Sequence, residues 1–329
     1  MKGVIPFNGG IRVVEKPVPE ILHPRDAIVK VKRSAICTSD LHIINDAVPR
    51  YVPDTILGHE FVGEVVSLGS DINNLKIGDR VAANCITFCG ECWFCRHGFI
   101  NNCVNGGWEL GCRIDGAQAE FVRVPFADCG LNKIPDNVSY DSALFVGDIL
   151  SSGYWGAEIA NISKGDNVAV IGAGPVGLCA MMSAKLLGAK KVTVFEIDNK
   201  RASYALELGL ADEIGVDTKT ACYDAVIEAA GGENTFETAW KIARPNAVVS
   251  VVAMYEKPQT LPLNEMYGKN LIFKTGGVDA VNCDYLLKLI SEGKISTDFL
   301  ITDSYKFEDI EAAYKRFKEK DCYKLALIF

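Results

Sequence analysis

From residue 151 to about residue 280 the chain alternates short apolar runs with helical patterns, and no other feature narrows its fold as much. The runs are Asn167 to Ile171, Lys191 to Glu196, Tyr223 to Glu228, Ala247 to Ala253 and Leu271 to Lys274. Helical spacing covers Pro175 to Leu187, Lys200 to Leu208 and Asn234 to Ala243. Runs this rich in Val and Ile leave no polar face for water, so helices must cover both sides of the sheet they form. The expected architecture is a doubly wound parallel α/β sheet.

The first run passes directly into Gly172-Ala173-Gly174-Pro175-Val176-Gly177 and an apolar helix. A GxGxxG triplet alone is weak, but between strand and helix it is the turn that a dinucleotide pyrophosphate needs. Gly172 permits the tight turn, Gly174 lets phosphates approach the backbone, and Gly177 lets the helix pack on the strand. Pro175 and Val176 open the helix, whose N-terminus offers free N–H groups to an anion. The second run ends at Glu196, nineteen residues after Gly177. A carboxylate there accepts bonds from ribose hydroxyls and repels a 2′-phosphate, which favours NAD over NADP. Asp198 adds negative charge, while Arg201 pulls the other way. A glycine turn beside a solvated acidic strand end is the bland alternative, and the strand–turn–helix context counts against it.

Residues 1 to about 150 have another texture: β-like runs such as Ala27 to Val31, Phe61 to Val66 and Glu120 to Val124, broken by Gly, Pro, Asn and Asp. That reads as a barrel-like β domain carrying long loops. The tail, 281–329, shows helical patterns near Cys283 to Ser291 and Phe307 to Lys318 and a final strand from Lys324 to Phe329; it is expected to return to the first domain. Within the loop 85–112, Cys89, Cys92, Cys95 and Cys103 are separated by two, two and seven residues. Four thiolates so spaced can converge on one tetrahedral zinc with no vacant position, which would fold a loop lacking a core of its own. Disulfide or thiol-redox use is the alternative, and the spacing counts against it.

Cys37 lies in Cys37-Thr38-Ser39-Asp40-Leu41-His42, and twenty-two residues later comes Gly58-His59-Glu60-Phe61-Val62-Gly63-Glu64-Val65. Alone, Cys37 reads as a buried thiol, His59 as a core histidine and Glu60 as a surface carboxylate. Together with the four-cysteine loop and the later glycine turn, in this order and spacing, they resemble the zinc-containing medium-chain alcohol dehydrogenase family, nearest in flavour to bacterial secondary-alcohol, polyol and threonine-type dehydrogenases. The resemblance covers nearly the whole chain. It implies a GroES-like β-barrel-type catalytic domain (1–150), a Rossmann domain (151–280), two zinc ions per chain and a nicotinamide cofactor. It implies Cys37 and His59 as ligands of a catalytic zinc, with Glu60 in or beside the shell. The remaining ligand falls on Asp148, in Val146-Gly147-Asp148-Ile149, where relatives carry Cys or Asp. A shell of this kind is more anionic than Cys₂His and is expected to exchange Glu60 for water or substrate readily. Ser39 and His42 are implied as the relay that carries the alcohol proton to water, a task suited to histidine's titration range.

The bulk composition is that of a soluble globular chain, 49% hydrophobic and 23% charged. A net charge of -8 argues against nucleic acid or an anionic membrane as partner. The N-terminus shows no signal-peptide pattern and no run long enough to span a membrane, so a reducing cytoplasm is expected. The substrate is expected to be an alcohol or its ketone, a secondary alcohol first, with polyols or hydroxysteroids as alternatives. A noncatalytic NAD- and zinc-binding protein is the alternative of a different class. Trp93, Trp108, Tyr154, Trp155 and Ile86 are candidate pocket walls, and the motifs contain no Arg or Lys to clamp an anion. Cys85 and Cys112 flank the zinc loop; Cys129, Cys179, Cys222, Cys283 and Cys322 read as packing residues. His97 reads as solvated, and His23 has no evident partner. The family implies a homodimer or homotetramer assembled through the nucleotide domain.

Overall fold

Ala27–Ile36 is a ten-residue strand with three partners, and it organises the first of two compact units. The computed structural model describes residues 1–329. The first unit comprises Met1–Ser151 and Asp279–Phe329, the second Ser152–Val278.

In the first unit a seven-stranded sheet runs in the order Ile301–Lys306, Lys324–Ile328, Ala27–Ile36, Phe61–Leu68, Arg80–Ala83 and Leu131–Lys133. Phe121–Val124 pairs with the first half of the central strand, at Ala27 to Lys30, and Lys324–Ile328 with its second half, at Arg33 to Ile36. The pairings are antiparallel except that of Ile301–Lys306 with Lys324–Ile328, which needs a crossover, and the helix Ile310–Lys318 supplies it. That helix buries Ile310, Ala313, Tyr314 and Phe317 in a core shared with Ile36, Ile43, Leu57 and Leu325. The sequence pattern missed Ile301–Lys306 because its middle residues, Thr302-Asp303-Ser304, are polar and exposed, as an edge strand tolerates.

The second unit is a six-stranded, wholly parallel sheet in the order Glu213–Ile214, Lys191–Phe195, Asn167–Ile171, Tyr223–Glu228, Ala243–Val251 and Ile272–Thr275. Chain order reverses between Asn167–Ile171 and Tyr223–Glu228, the switch point at which such sheets bind ligands beyond their carboxyl ends. Ala243–Val251 begins four residues earlier than its apolar run. Arg244, Pro245 and Asn246 form an exposed, irregular stretch where the register slips, which accommodates a proline that has no N–H to give. Helix Ser151–Ile159 was not expected: Ser151, Ser152, Gly153 and Gly156 hide it from a propensity reading. Gly153 and Gly156 sit there because an added Cβ would come 2.5 Å from Cys179 Cβ and 2.7 Å from a Val252 methyl. Cys222 is exposed, contrary to its reading as a packing residue.

Candidate metal and dinucleotide sites

Cys37 follows the last residue of the central strand and caps the short helix Thr38–Ile44, its N–H donating to Asp40 Oδ2 at 2.9 Å. His59 and Glu60 precede Phe61–Leu68, and Ala35 N donates to Glu60 O across the strands at 3.1 Å. Asp148 lies in Val146–Leu150, a π-helical turn of the sort that often carries functional groups. Its neighbour must be glycine: a Cβ on Gly147 would sit 1.7 Å from Ala83 O. These three segments bring one donor atom each from Cys37, His59 and Asp148 within 4.8 Å of one another. His59 Nε2 is 3.1 Å from Asp148 Oδ2.

The side chains of this cluster shift one another's titration strongly. Burial works against charge on His59, but its bonds to Asp148 and Cys37 outweigh that and hold its pKa well above the usual value. Burial likewise opposes charge on Asp148 and Cys37; His59 and Lys324 nevertheless pull both below their ordinary ranges. Three polar atoms are left orphaned and buried here: His59 Nδ1, Asp40 Oδ1 and Glu60 Oε1. A soft thiolate, an imidazole and a carboxylate, converging beside unsatisfied acceptors, fit zinc.

Glu60 is placed differently from the three donors. Lys324 Nζ donates to its Oε2 at 2.5 Å, and the two side chains are 2% and 0% exposed. The sheet register explains the pair. Leu325 faces Ile36, so Lys324 comes opposite Cys37, while Glu60 lies across from Ala35 on the other side of the same strand. Burial would lower the Lys324 pKa, yet Cys37, Glu60 and Asp148 together hold its ammonium charged and push the pKa above its usual value. Lys324 was not singled out from sequence, although a lysine opening the apolar run Leu325-Ala326-Leu327 is a local oddity. Ser39 Oγ lies 3.6 Å from Cys37 Sγ, and His42 follows three residues on along the helix, the spacing of side-chain neighbours. Trp108 meets the His59 ring edge-on at 5.6 Å, and Arg50 lies 5.0 Å over the Trp108 ring. The fold thus brings two cations, Lys324 and Arg50, to motifs that contain none.

Cys89, Cys92, Cys95 and Cys103 form the second group, all within 4.8 Å. Sγ separations are 3.4 Å for Cys92–Cys95, 3.6 Å for Cys89–Cys103 and 3.9 Å for Cys89–Cys95. A tetrahedron with zinc–sulfur bonds of ~2.3 Å has sulfurs about 3.8 Å apart, so the cage fits zinc. Backbone N–H groups of Cys95 and Val104 pull the Cys92 thiol down to about 6, toward the thiolate that a metal takes. The loop contains only the short turns Trp93–Arg96 and Ile100–Asn102, and Trp93 is 61% exposed, so it has little core of its own. His97 stacks on Trp93 at 4.2 Å, outside the cage. Cys85 is buried with Asp148 rather than with the loop, and its thiol bonds to that carboxylate. His23 has a partner after all: its Nδ1 accepts from Arg25 N at 3.1 Å.

In the second unit Gly172 has φ +99°, in the left-handed region, and a Cβ on Gly177 would sit 2.0 Å from Gly172 O. Gly174 is different, because a Cβ there would have only Arg201 Nη1 near it, at 3.9 Å. The protein leaves that space open, as close approach by a phosphate requires. Helix Pro175–Leu186 starts there, with proline in its first turn and no acidic residue to compete for its N-terminus. Glu196 accepts from Ala173 N at 2.7 Å and from Asp198 N at 2.9 Å, so its carboxylate is fixed against the glycine turn with lone pairs to spare.

Comparison with known proteins accounts for both units. Residues 23–136 match the alcohol dehydrogenase GroES-like domain, and residues 175–276 the zinc-binding dehydrogenase domain. An alcohol dehydrogenase of Cupriavidus necator is 33% identical over 94% of this chain and 92% of its own length. The NADP-dependent isopropanol dehydrogenase of Thermoanaerobacter brockii is 31% identical over 93% and 92%. The solved alcohol dehydrogenase TADH from Thermus sp. ATN1 superposes with a TM-score of 0.93 at 35% identity, covering 100% of this chain and 99% of that one. The chain is therefore a member of the zinc-containing medium-chain alcohol dehydrogenase family, with a GroES-like unit joined to a Rossmann unit.

Proposed function

We propose that this protein interconverts a secondary alcohol and its ketone, using NAD as the hydride partner. The observation that carries this reading is the convergence of Cys37, His59 and Asp148 donors within 4.8 Å, in a chain that also builds the open Gly174 cradle. Zinc bound by those three side chains would polarise the substrate oxygen as a Lewis acid, and the nicotinamide would take or give the hydride. The chain's own residues handle the proton. Ser39, beside Cys37 on the half-buried face of its helix, takes the proton from the alcohol. His42, further along the same helix, receives it in turn and releases it to water. Lys324 opposes the rise that burial imposes on the Glu60 carboxyl and holds it toward the tail strand, so Glu60 stands beside the three donors rather than among them. The four-cysteine loop holds a second zinc with a purely structural task.

Glu196 supports NAD over NADP: its carboxylate is fixed against the glycine turn at the end of the second strand, from which it would repel a 2′-phosphate. A panel of primary alcohols, secondary alcohols, polyols and hydroxysteroids, read by nicotinamide absorbance with both cofactors, tests the reading. Secondary alcohols with NAD should give the highest kcat/KM. Glu196→Ala should erode the NAD preference by about 10- to 100-fold, the worth of a charged hydrogen bond. Binding of NAD with no turnover of any alcohol would favour a noncatalytic role instead.

A second reading, an alcohol that carries a carboxylate or phosphate, is favoured by Arg50. Its guanidinium lies over Trp108, which abuts His59, and the adjacent Glu109 is already paired with Arg113. Trp108 Nε1 is buried without an acceptor. Under this reading Arg50→Gln lowers kcat/KM for anionic alcohols by about 10- to 100-fold and leaves neutral isosteres unchanged. Equal losses on both classes would exclude it.

A further inference from the structure

His59 presents its two nitrogens to different partners. Nε2 faces Asp148 at 3.1 Å, whereas Nδ1 lies 3.8 Å from Asp40 Oδ1, and both of those last atoms are buried and otherwise unpartnered. The other Asp40 oxygen, Oδ2, is held by two donors: Cys37 N at 2.9 Å and Gln118 Nε2 at 3.0 Å. A carboxylate only accepts, so the Gln118 amide must turn its nitrogen to Asp40 and its oxygen away. That oxygen accepts from Tyr314 Oη at 2.7 Å. Asp40 and Gln118 are 0% exposed and Tyr314 2%, so none of these bonds can be replaced cheaply by bulk water. Tyr314 belongs to helix Ile310–Lys318 in the C-terminal segment, 196 residues from Gln118.

We propose that Tyr314 is a positioning residue for His59, acting through Gln118 and Asp40, so that the folded C-terminal segment sets how firmly the Cys37, His59 and Asp148 site grips its metal. The inference rests on the reading of those three residues as ligands. A metal taken through Nε2 needs an imidazole whose proton sits on Nδ1 and points at an acceptor. Asp40 Oδ1, 3.8 Å from Nδ1 and so just outside hydrogen-bond range, is the acceptor a metal-bound His59 would close upon, and it faces His59 because Oδ2 is tied down from behind. Without the Tyr314 hydroxyl, the Gln118 oxygen loses its donor, and the amide is left with only a long 3.4 Å bond to Ala35 O to hold it against Asp40.

The test uses metal-free protein reloaded with Co²⁺, whose ligand-field bands distinguish a four-sulfur site from a Cys/His/Asp site. Tyr314→Phe should bind Co²⁺ at the latter about tenfold more weakly in chelator competition, with altered bands, while the four-sulfur bands stay unchanged. Gln118→Leu should do the same or more. If both variants show parental Co²⁺ affinity and bands, with only a lower unfolding midpoint, Tyr314 merely packs and the proposal fails. A measurement on the parent avoids any folding defect: metal loading should slow amide hydrogen exchange across Ile310–Lys318, and unchanged exchange would also overturn the proposal. Cys37→Ser separates the two layers of argument. If it keeps both metal equivalents the ligand reading itself is wrong; if it loses one while Tyr314→Phe changes nothing, only the positioning role falls.

Discussion

Replacing Lys324 with methionine is expected to destabilise the first unit by about 3–5 kcal/mol, the usual result of removing one partner from a fully buried ion pair. Glu60 would then be a carboxylate that is 1% exposed, with His59 as the cation whose charge still favours it, against the raising influence of Asp148 and Cys37. Burial already raises the Glu60 pKa well above its ordinary value and Lys324 opposes that rise, so the variant's carboxyl titrates higher still. The sign of the pH dependence follows. A carboxyl whose pKa is raised in the folded state is protonated there while the unfolded chain's is not, so stability falls as pH rises through that interval. The deficit of Lys324→Met should therefore be largest at neutral pH and shrink at mildly acidic pH, as the folded carboxyl takes up its proton. Urea unfolding of metal-free protein at the two pH values measures it. The double variant Glu60→Leu, Lys324→Met should recover most of the loss, because a matched apolar pair needs no desolvation offset. A Lys324→Met protein as stable as the parent at neutral pH would mean that water or another cation reaches Glu60, and the role given to this pair would have to be withdrawn.

The same pair marks the limit of what the chain discloses before it folds. The parallel sheet was legible because Asn167–Ile171 and Tyr223–Glu228 are short apolar runs bounded by turn residues, and because Gly172-Ala173-Gly174 stands directly between a strand and a helix. The four loop cysteines were legible as a group because ligand chemistry restricts residue type and spacing, and spacing is local; Cys37 and His59 became candidate ligands only with the resemblance. Asp148 came only from the resemblance, since one aspartate in an apolar stretch has no spacing to declare it. Lys324, Gln118, Tyr314 and Arg50 gave no signal. Their contacts depend on strand register and helix docking between segments up to 264 residues apart, as in Lys324 with Glu60, and no periodicity within either segment encodes that pairing. The place of Cys85 was hidden for a similar reason. Cys85 lies near the zinc loop in sequence, but Cys85 N pairs with Gly147 O, and that pairing carries it to Asp148 instead.

Cys37→Ser should remove one of two zinc equivalents and lower kcat by on the order of a thousandfold, while leaving the other equivalent in place. The reason lies in the separation of the two groups. Cys37 and His59 flank strands of the first unit's sheet and Asp148 lies in the π-turn, whose backbone is packed so closely that a Cβ at Gly147 would sit 1.7 Å from Ala83 O. Serine keeps that backbone but replaces a thiolate with a hydroxyl that stays neutral, so charge and softness go together. Lewis-acid polarisation contributes several kcal/mol to such reactions, which sets the scale of the loss. Cys92→Ser should behave in the opposite way. Its loop has only the short turns Trp93–Arg96 and Ile100–Asn102 and depends on the four-sulfur cage, so losing that zinc should loosen residues 89–103 to proteolysis before it touches the chemistry. Zinc analysis, kcat and limited proteolysis on the two variants distinguish the roles. One zinc in the intact protein would end the two-site reading. A Cys37→Ser enzyme that lost its metal but kept its rate would end the assignment of the chemistry to this cluster, because no step would then need the polarised oxygen that Cys37, His59 and Asp148 are placed to provide.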